Sequence, residues 1–298
     1  MNDFMLTMIT QAVISGILVG VIYGLVGIGM NIIYGVMRIV NFAHGEFMML
    51  AAYLTFTLNR SYHIDALESI LLITPLFFIL GMVLHAIFGE RLRRSDDPEM
   101  ASFLTFFGVS LVITSVILLI WKADPRNIPF PFHKLSVFIG DIFVPMGRLL
   151  SAGVCLGAIV IISLFLYRTY AGKAVRAIIQ NREAVSIMGI DAHRLSSVVF
   201  GIGLALVAIT GSLITLTFPA ITPVMGQSYT LIAFVVIVLG GLGTPLGALL
   251  GGVVYGLAES VSAVFMPVAL SPVVAFVILI LMVMIRPQGL LGRVTTRI

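Results

Sequence analysis

Between residues 10 and 58 the chain carries almost no charge, Arg38 and Glu46 apart, and the same apolar texture returns as far as Ile285. Runs of this kind do not belong to a soluble core. Of 298 residues 60% are hydrophobic and 10% charged, where soluble domains carry about a quarter charged residues. Lipid is the solvent that suits such a chain, and a segment that crosses lipid must satisfy its own backbone, as a helix does. Every polar residue inside those runs then needs a reason, because polar groups in hydrocarbon are costly.

A crossing takes about 20 apolar residues. Spans are expected at 10–35, 42–58, 69–89, 101–121, 143–167, 196–218, 228–241, 245–265 and 272–286. The seventh is short for a full crossing and could be broken or re-entrant. Nine crossings put the N-terminus outside and the C-terminus inside. On that assignment Arg38, Arg91, Arg93, Arg94, Arg168, Lys173, Arg176, Arg182, Arg194, Arg286, Arg293 and Arg297 face the cytoplasm, against Arg60, Lys122, Arg126, Lys134 and Arg148 outside. Twelve against five obeys the positive-inside rule.

The N-terminal segment has Asp3 and no basic residue before Gln11, so it lacks the start of a signal peptide and the first run is expected to be retained. The single Cys155 can form no internal disulfide and has no partner for a metal; it reads as packed or lipid-facing. The net charge of +4 comes from scattered short loops and is no nucleic-acid signal. The outer stretch 121–140, with Pro125, Pro129 and Pro131, reads as an irregular surface, with Trp121 as a boundary anchor and a short interfacial helix expected within Val137–Leu150.

Gly16, Gly20 and Gly24 recur every four residues, as do Gly243, Gly247 and Gly251. That spacing puts each set on one helix face, where two backbones can approach closely, as a static contact or a sliding one. Gly240-Gly241-Leu242-Gly243-Thr244-Pro245 breaks the helix, either as a tight turn between spans or as a discontinuity covered by protein or water. Asn41, His44 and Glu46 form the most polar cluster that touches a span. On a regular helix His44 and Glu46 would face apart, and a break at Gly45 would bring them together to line a gate; otherwise they cap a turn. Glu259, beside Ser260 and Ser262, should face protein or water, lining a passage or, more simply, holding two helices together. His85 reads as interfacial.

Nothing in the chain offers chemistry. There is no His-Glu-x-x-His helix and no Gly-x-Ser-x-Gly elbow, and Gly172-Lys173 lacks the preceding glycine of a phosphate loop. No metal, cofactor or catalytic residue is expected.

Residues 168–194 form the longest polar stretch. A first short helix is expected from about Gly172 to Gln180, with Val175, Ile178 and Ile179 on one face. Asn181 then caps a second, Glu183 complements its dipole, Gly189 stops it, and Ile190 packs back on Val185. A short, hard-stopped helix with exposed charges suits docking to another protein; a loop lying on lipid headgroups would use the same basic residues.

Glu183-Ala184-Val185-Ser186-Ile187-Met188-Gly189 resembles the Glu-Ala-Ala-x-x-x-Gly loop by which ABC importer permeases contact their ATPases, with Val185 in place of the usual alanine. Together with Asn41–Glu46, Gly240–Thr244 and Arg286-Pro-Gln-Gly-Leu-Leu-Gly292, it is similar to the H-type subunit of the branched-chain amino-acid permease family. The resemblance implies an all-α polytopic membrane protein. It would be one permease domain over residues 1–298, a bundle of about eight or nine transmembrane helices with a short cytoplasmic coupling helix. It implies a second related permease subunit (M-type, or a second copy), two cytoplasmic ATPases that use the ATP, and a soluble binding protein outside. The substrate would be leucine, isoleucine and valine, with urea or short amides as the alternative. An ion-driven secondary transporter would instead use His44, Glu46 and Glu259 for coupling, but no inverted sequence repeat is evident. A scaffold subunit explains fewer features.

Overall fold

The computed structural model describes residues 2–129, 135–140, 142–267 and 270–292, so Pro131, Lys134, Arg293 and Arg297 lie outside the described residues. The elements are α1 (Asn2–Met37), α2 (His44–Tyr62), α3 (Ala66–Leu84), α4 (Glu90–Arg93), α5 (Pro98–Trp121), β1 (Ser136–Ile139), β2 (Ile142–Pro145), α6 (Met146–Arg168), α7 (Tyr170–Gln180), α8 (Arg182–Ile187), α9 (Ala192–Thr217), α10 (Met225–Gly240), α11 (Pro245–Phe265) and α12 (Ser271–Ile285). A π turn, His85–Gly89, joins α3 to α4 without interrupting the helix. Among the described residues six helices are long and apolar enough to cross a membrane: Phe4–Met37, Ala66–Arg93, Pro98–Trp121, Met146–Arg168, Ala192–Thr217 and Pro245–Phe265. The other three expected spans are also helical, but α10 and α12 are short and α2 is diluted by His44, Glu46, Asn59 and Arg60.

Residues 137–150 do not make the interfacial helix expected of them, and the span expected from 143 begins only at Met146. Val137 and Phe138 pair with Val144 and Phe143 in an antiparallel hairpin. β-Branched and aromatic side chains favour extended backbone, and Gly140 takes φ +62° at the turn. Gly-Asp between two such runs is a hairpin signal. Gln11 ties the hairpin to α1: its Oε1 accepts from the Phe143 amide at 2.9 Å and its amide donates to the Phe143 carbonyl. Cys155 is fully buried, so it is packed and not lipid-facing.

The bundle is organised by glycine contacts between antiparallel helices. A Cβ on Gly16 would fall 2.8 Å from the Gly256 carbonyl oxygen, and one on Gly20 2.7 Å from the Val253 Cα. Gly252 meets the backbone of Gly24. The first glycine stripe therefore packs on α11, and its partners there are Gly252 and Gly256. Gly247 and Gly251 face α10 instead, against Gly240 and Val236. Gly243 belongs to neither face: it sits at φ +79° in the turn before Pro245, which opens α11. Gly81 and Gly201 make the equivalent close contact between α3 and α9.

Two helices start inside this framework. The His44 Nε2 is 3.0 Å from the Val26 carbonyl, and Val26 lies about 16 Å along α1 from Met37 at 1.5 Å per residue. Residues 38–43 thus re-enter the bundle before α2 begins. From the opposite end, residues 218–224 lead into α10, and a Cβ on Gly226 would fall 2.9 Å from the Glu46 Cα. The segments α1–α2–α3 and α9–α10–α11 run in opposite senses with their short helix beginning at the corresponding place, an inverted relation that the sequence does not display.

Replacing Gly252 with Leu is expected to lower the thermal midpoint in detergent, because overpacking a backbone contact costs about 1–3 kcal/mol or more. Gly153→Leu, where nothing lies within 4 Å, should leave the midpoint unchanged or higher. Equal midpoints for the two variants would show that the α1–α11 contact does not limit stability.

Candidate functional site

The polar segment after α6 folds as two capped helices. Thr169 starts α7 by accepting from the Gly172 amide at 3.0 Å, two residues earlier than the sequence suggests. Val175 and Ile178 are buried. Ile179 lies over both Gly35 of α1 and Gly243 of the α10–α11 turn. Asn181 caps α8 through the Ala184 amide at 3.0 Å, and Glu183 stands exposed in its first turn. The Gly189 amide donates to Ser186 O at 3.1 Å and the Ile190 amide to Val185 O at 3.3 Å, with Gly189 at φ +80°. This is the Schellman closure expected of Gly189 and Ile190. Asp191 then caps α9 through the amides of His193 and Arg194. The Arg194 amide, first among several donors and charges, holds the Asp191 carboxyl below its ordinary range.

Arg182 locks α8 to the bundle, donating to Val36 O at 3.2 Å and to Ser196 Oγ at 3.1 Å. Beside it a cavity of about 540 Å³ is lined by Glu90, Arg93, Arg182, Ser186, Asp191 and His193 among others. Glu90 gathers Arg93 at 2.6 Å, Arg94 at 2.9 Å and His193 at 3.6 Å. His85 is buried, its ring 5.0 Å from that of His193. Outward, Ala184, Ile187 and Met188 are exposed, Ile187 at 88%. The outward tip of this segment is thus apolar and exposed, with Arg182 and Glu183 beside it.

The glycine-rich breaker is a tight turn, with Gly241 at φ +104° and Gly243 at φ +79°. Asn31, buried in α1, holds it from the side. Its Oδ1 accepts from the Gly243 amide at 2.6 Å, and its Nδ2 donates to Gly241 O and Thr244 O at 3.2 and 3.3 Å. The Arg286–Gly292 segment completes the knot, the Leu290 and Leu291 amides donating to Leu239 O and Gly240 O at 2.8 and 3.0 Å. Two separate sequence motifs thereby meet at the end of the bundle that carries α7 and α8.

There is no break at Gly45, and His44 and Glu46 are not brought together. Gly45 lies inside α2 because its missing side chain admits the Gly226 carbonyl of α10. Thr230 Oγ1 accepts from the Gly45 amide at 2.8 Å and donates to Glu46 Oε2 at 3.0 Å. His44 turns the other way, to α1. Asn41 accepts from the Ala43 amide at 3.1 Å, and its Nδ2 and the His44 Nδ1 are buried without a partner among the described residues. Glu259 joins α11 to α1, its Oε2 accepting from the Tyr23 hydroxyl at 2.9 Å. No group of three His, Cys, Asp or Glu that could hold a metal occurs among the described residues.

A family model described as "Branched-chain amino acid transport system / permease component" matches residues 12–283. The high-affinity branched-chain amino acid transport system permease protein LivH of Salmonella typhimurium is 27% identical over 299 residues, 95% of each chain. The corresponding BraD of Pseudomonas aeruginosa is 28% identical over 295 residues, again 95% of each. A probable branched-chain amino acid transport permease protein LivH of Methanocaldococcus jannaschii is 25% identical over 284 residues, 90% of this chain and 88% of that one. No solved structure matches the chain.

Replacing Asn31 with Ala removes the partner of the Gly243 amide, at about 1–3 kcal/mol for a buried donor left unmade. A lower thermal midpoint is expected, with faster hydrogen exchange at the Gly243 amide than at helix-interior amides of α9. An unchanged exchange rate at Gly243 would count against the clamp.

Proposed function

The chain belongs to the family of branched-chain amino acid transport system permease components, and from that premise we propose that it is the membrane-spanning subunit of an ATP-driven, binding-protein-dependent importer of branched-chain amino acids. The extent of the match carries the reading: LivH and BraD align over 95% of both chains. The partners are a related M-type permease or a second copy of this chain, two ATPases at the cytoplasmic face, and a soluble binding protein outside. ATP is used by the partner subunits, which agrees with the lack of a phosphate loop in this sequence.

The end that carries α7 and α8 is cytoplasmic in this reading. Arg38, Arg91, Arg93, Arg94, Arg168, Arg182 and Arg194 gather at that end, which favours an N-terminus outside. Six long helices provide full crossings; α12, and the pair α2 and α10 that begin inside the bundle, account for the remainder of a single permease domain. The coupling surface is α8 with its flanks, Asn181, Glu183, Ala184, Gly189 and Ile190, presented to the ATPase. Through Ile179, α7 bears on α1 and on the α10–α11 turn, so a push on this segment reaches both. Asn41, His44 and Glu46 stand where the path would be gated, at the meeting of two helix starts.

Uptake of labelled leucine into vesicles carrying this chain with its partners should require ATP at the cytoplasmic face and the binding protein outside. Uptake driven by an ion gradient without ATP would overturn the mechanism, and uptake of urea or an amide in place of leucine would overturn the substrate. Gly189→Pro should insert normally yet lose ATP-driven uptake by at least tenfold, because proline can neither adopt φ +80° nor donate to Ser186. Wild-type uptake by that variant would remove the docking role of α8.

A further inference from the structure

A second cavity, of about 420 Å³, lies between α7 and α9 beside the coupling surface. Tyr170, Ala171 and Ala174 line it from α7, and Leu195 and Val198 from α9. The two alanines keep the α7 side of it open. Asp191 and Arg194 stand at the end where α9 begins, and Val198 is about 10 Å farther along than Asp191 at 1.5 Å per residue. The apolar run expected to cross the membrane starts at residue 196. The groove therefore passes from the charged boundary into the hydrocarbon. A cytoplasmic protein could cover Asp191 and Arg194 but could not follow the groove to Val198, whereas an acyl chain can.

The charge around this groove is of one sign. From Leu166 to Arg182 the chain carries Arg168, Lys173, Arg176 and Arg182 and no carboxylate. Arg168, Lys173 and Arg176 form no ion pair among the described residues. The Lys173 ammonium lies 5.5 Å from the centroid of the Tyr170 ring, which itself lines the groove, and the Arg176 guanidinium lies 4.8 Å from that of Tyr167. Exposed tyrosines at the end of a span, each with a cation over its face, have the composition of the headgroup layer. Asp191, the one carboxylate on the lining, is already engaged: it caps α9 and accepts from the Arg194 Nε at 3.0 Å. A basic surface of this kind beside a membrane span attracts anionic lipid.

We infer that this groove seats an anionic phospholipid of the inner leaflet, one acyl chain along Leu195 and Val198 over the two alanines, the phosphodiester beside Lys173 and Tyr170. A zwitterionic lipid would fill the groove equally well but would leave the cations uncompensated, so the headgroup charge decides which lipid stays. The leaflet follows from the orientation proposed above; the site does not depend on which substrate the chain moves.

The test is selective retention of lipid by the complete transporter, reconstituted in vesicles of equimolar phosphatidylglycerol and phosphatidylethanolamine, extracted in detergent and assayed for bound lipid by mass spectrometry. Phosphatidylglycerol is expected to be retained over phosphatidylethanolamine at least fivefold. Lys173→Gln should lower that preference about fivefold, the effect of one basic residue near a charged surface, and Lys173→Arg should keep it. Ala174→Phe fills the groove and should lower the preference at least as far. Leu119→Phe, at a position of α5 that is 82% exposed, should leave it unchanged. No preference in the wild type would overturn the site, as would wild-type preference in both Lys173→Gln and Ala174→Phe. So would a loss in Leu119→Phe as large as theirs, which would give the selectivity to the lipid-facing surface at large. Should Ala174→Phe fail to assemble, the Lys173 pair decides alone: a loss in Lys173→Gln that Lys173→Arg restores supports the site, and equal preferences overturn it. Release of the ATPases from Ala174→Phe with the lipid preference intact would assign the groove to the ATPase and overturn the proposal. Lipid retention is read without transport, so a transporter that moves no leucine but keeps its phosphatidylglycerol fails the function alone.

Discussion

A peptide group inside an apolar bundle has no water to bond with, and this fold is arranged around the places where helices nevertheless stop and start. At the α10–α11 turn the freed groups are taken up by Asn31 from α1 and by the returning segment after α12. At the start of α2 an exposed amide is taken up by Thr230 from α10. In each case a partner comes from a distant part of the chain, so the break cannot form until the bundle has assembled around it. Local sequence makes the interruption, and tertiary structure makes it affordable.

The same dependence explains why glycine sits where it does. Gly45 and Gly226 let two helix starts meet backbone to backbone, and Gly252 and Gly256 let α11 lie on α1 while Gly247 and Gly251 let it lie on α10. One helix thereby carries two smooth faces about 140° apart at 3.6 residues per turn, with the α10–α11 turn at its base. That turn is also where Ile179 of α7 touches the bundle, so the polar segment at the end of the molecule is in direct contact with the most closely packed part of its interior.

Much of this was legible in the residues. Capping and stop signals at Asn181, Glu183 and Gly189 located α8 to the residue, because caps are local chemistry. Apolar run lengths located the helices to within about five residues, except that α1 begins at Asn2 and not near residue 10. What could not be read was what each helix meets. The sequence shows a four-residue glycine period in α1 but does not say that the matching face of α11 is Gly252 and Gly256; the doubled Gly251-Gly252 was the available sign of two faces. Asn31 carries no local signal of its role, since its partners are more than 200 positions away. The hairpin at 136–145 is concealed by its apolar content, although its β-branched residues and the Gly-Asp pair in the sequence signal it. The inverted relation of the two halves left no trace in residue identity, because opposite orientation in lipid demands the same apolar texture.

The π turn at His85–Gly89 has a consequence for chain length. It accommodates one residue more than a regular helix would in the same rise, so every side chain after it is rotated by about 100° from where an unbroken α-helix would aim it. Glu90, which gathers Arg93, Arg94 and His193 beside α8, owes its heading to that extra residue. In this stretch an insertion or deletion of a single residue is therefore a change of azimuth and scarcely a change of reach. Among relatives of unequal length here, the facing of the last turn, and not its distance from the membrane, is the property free to vary.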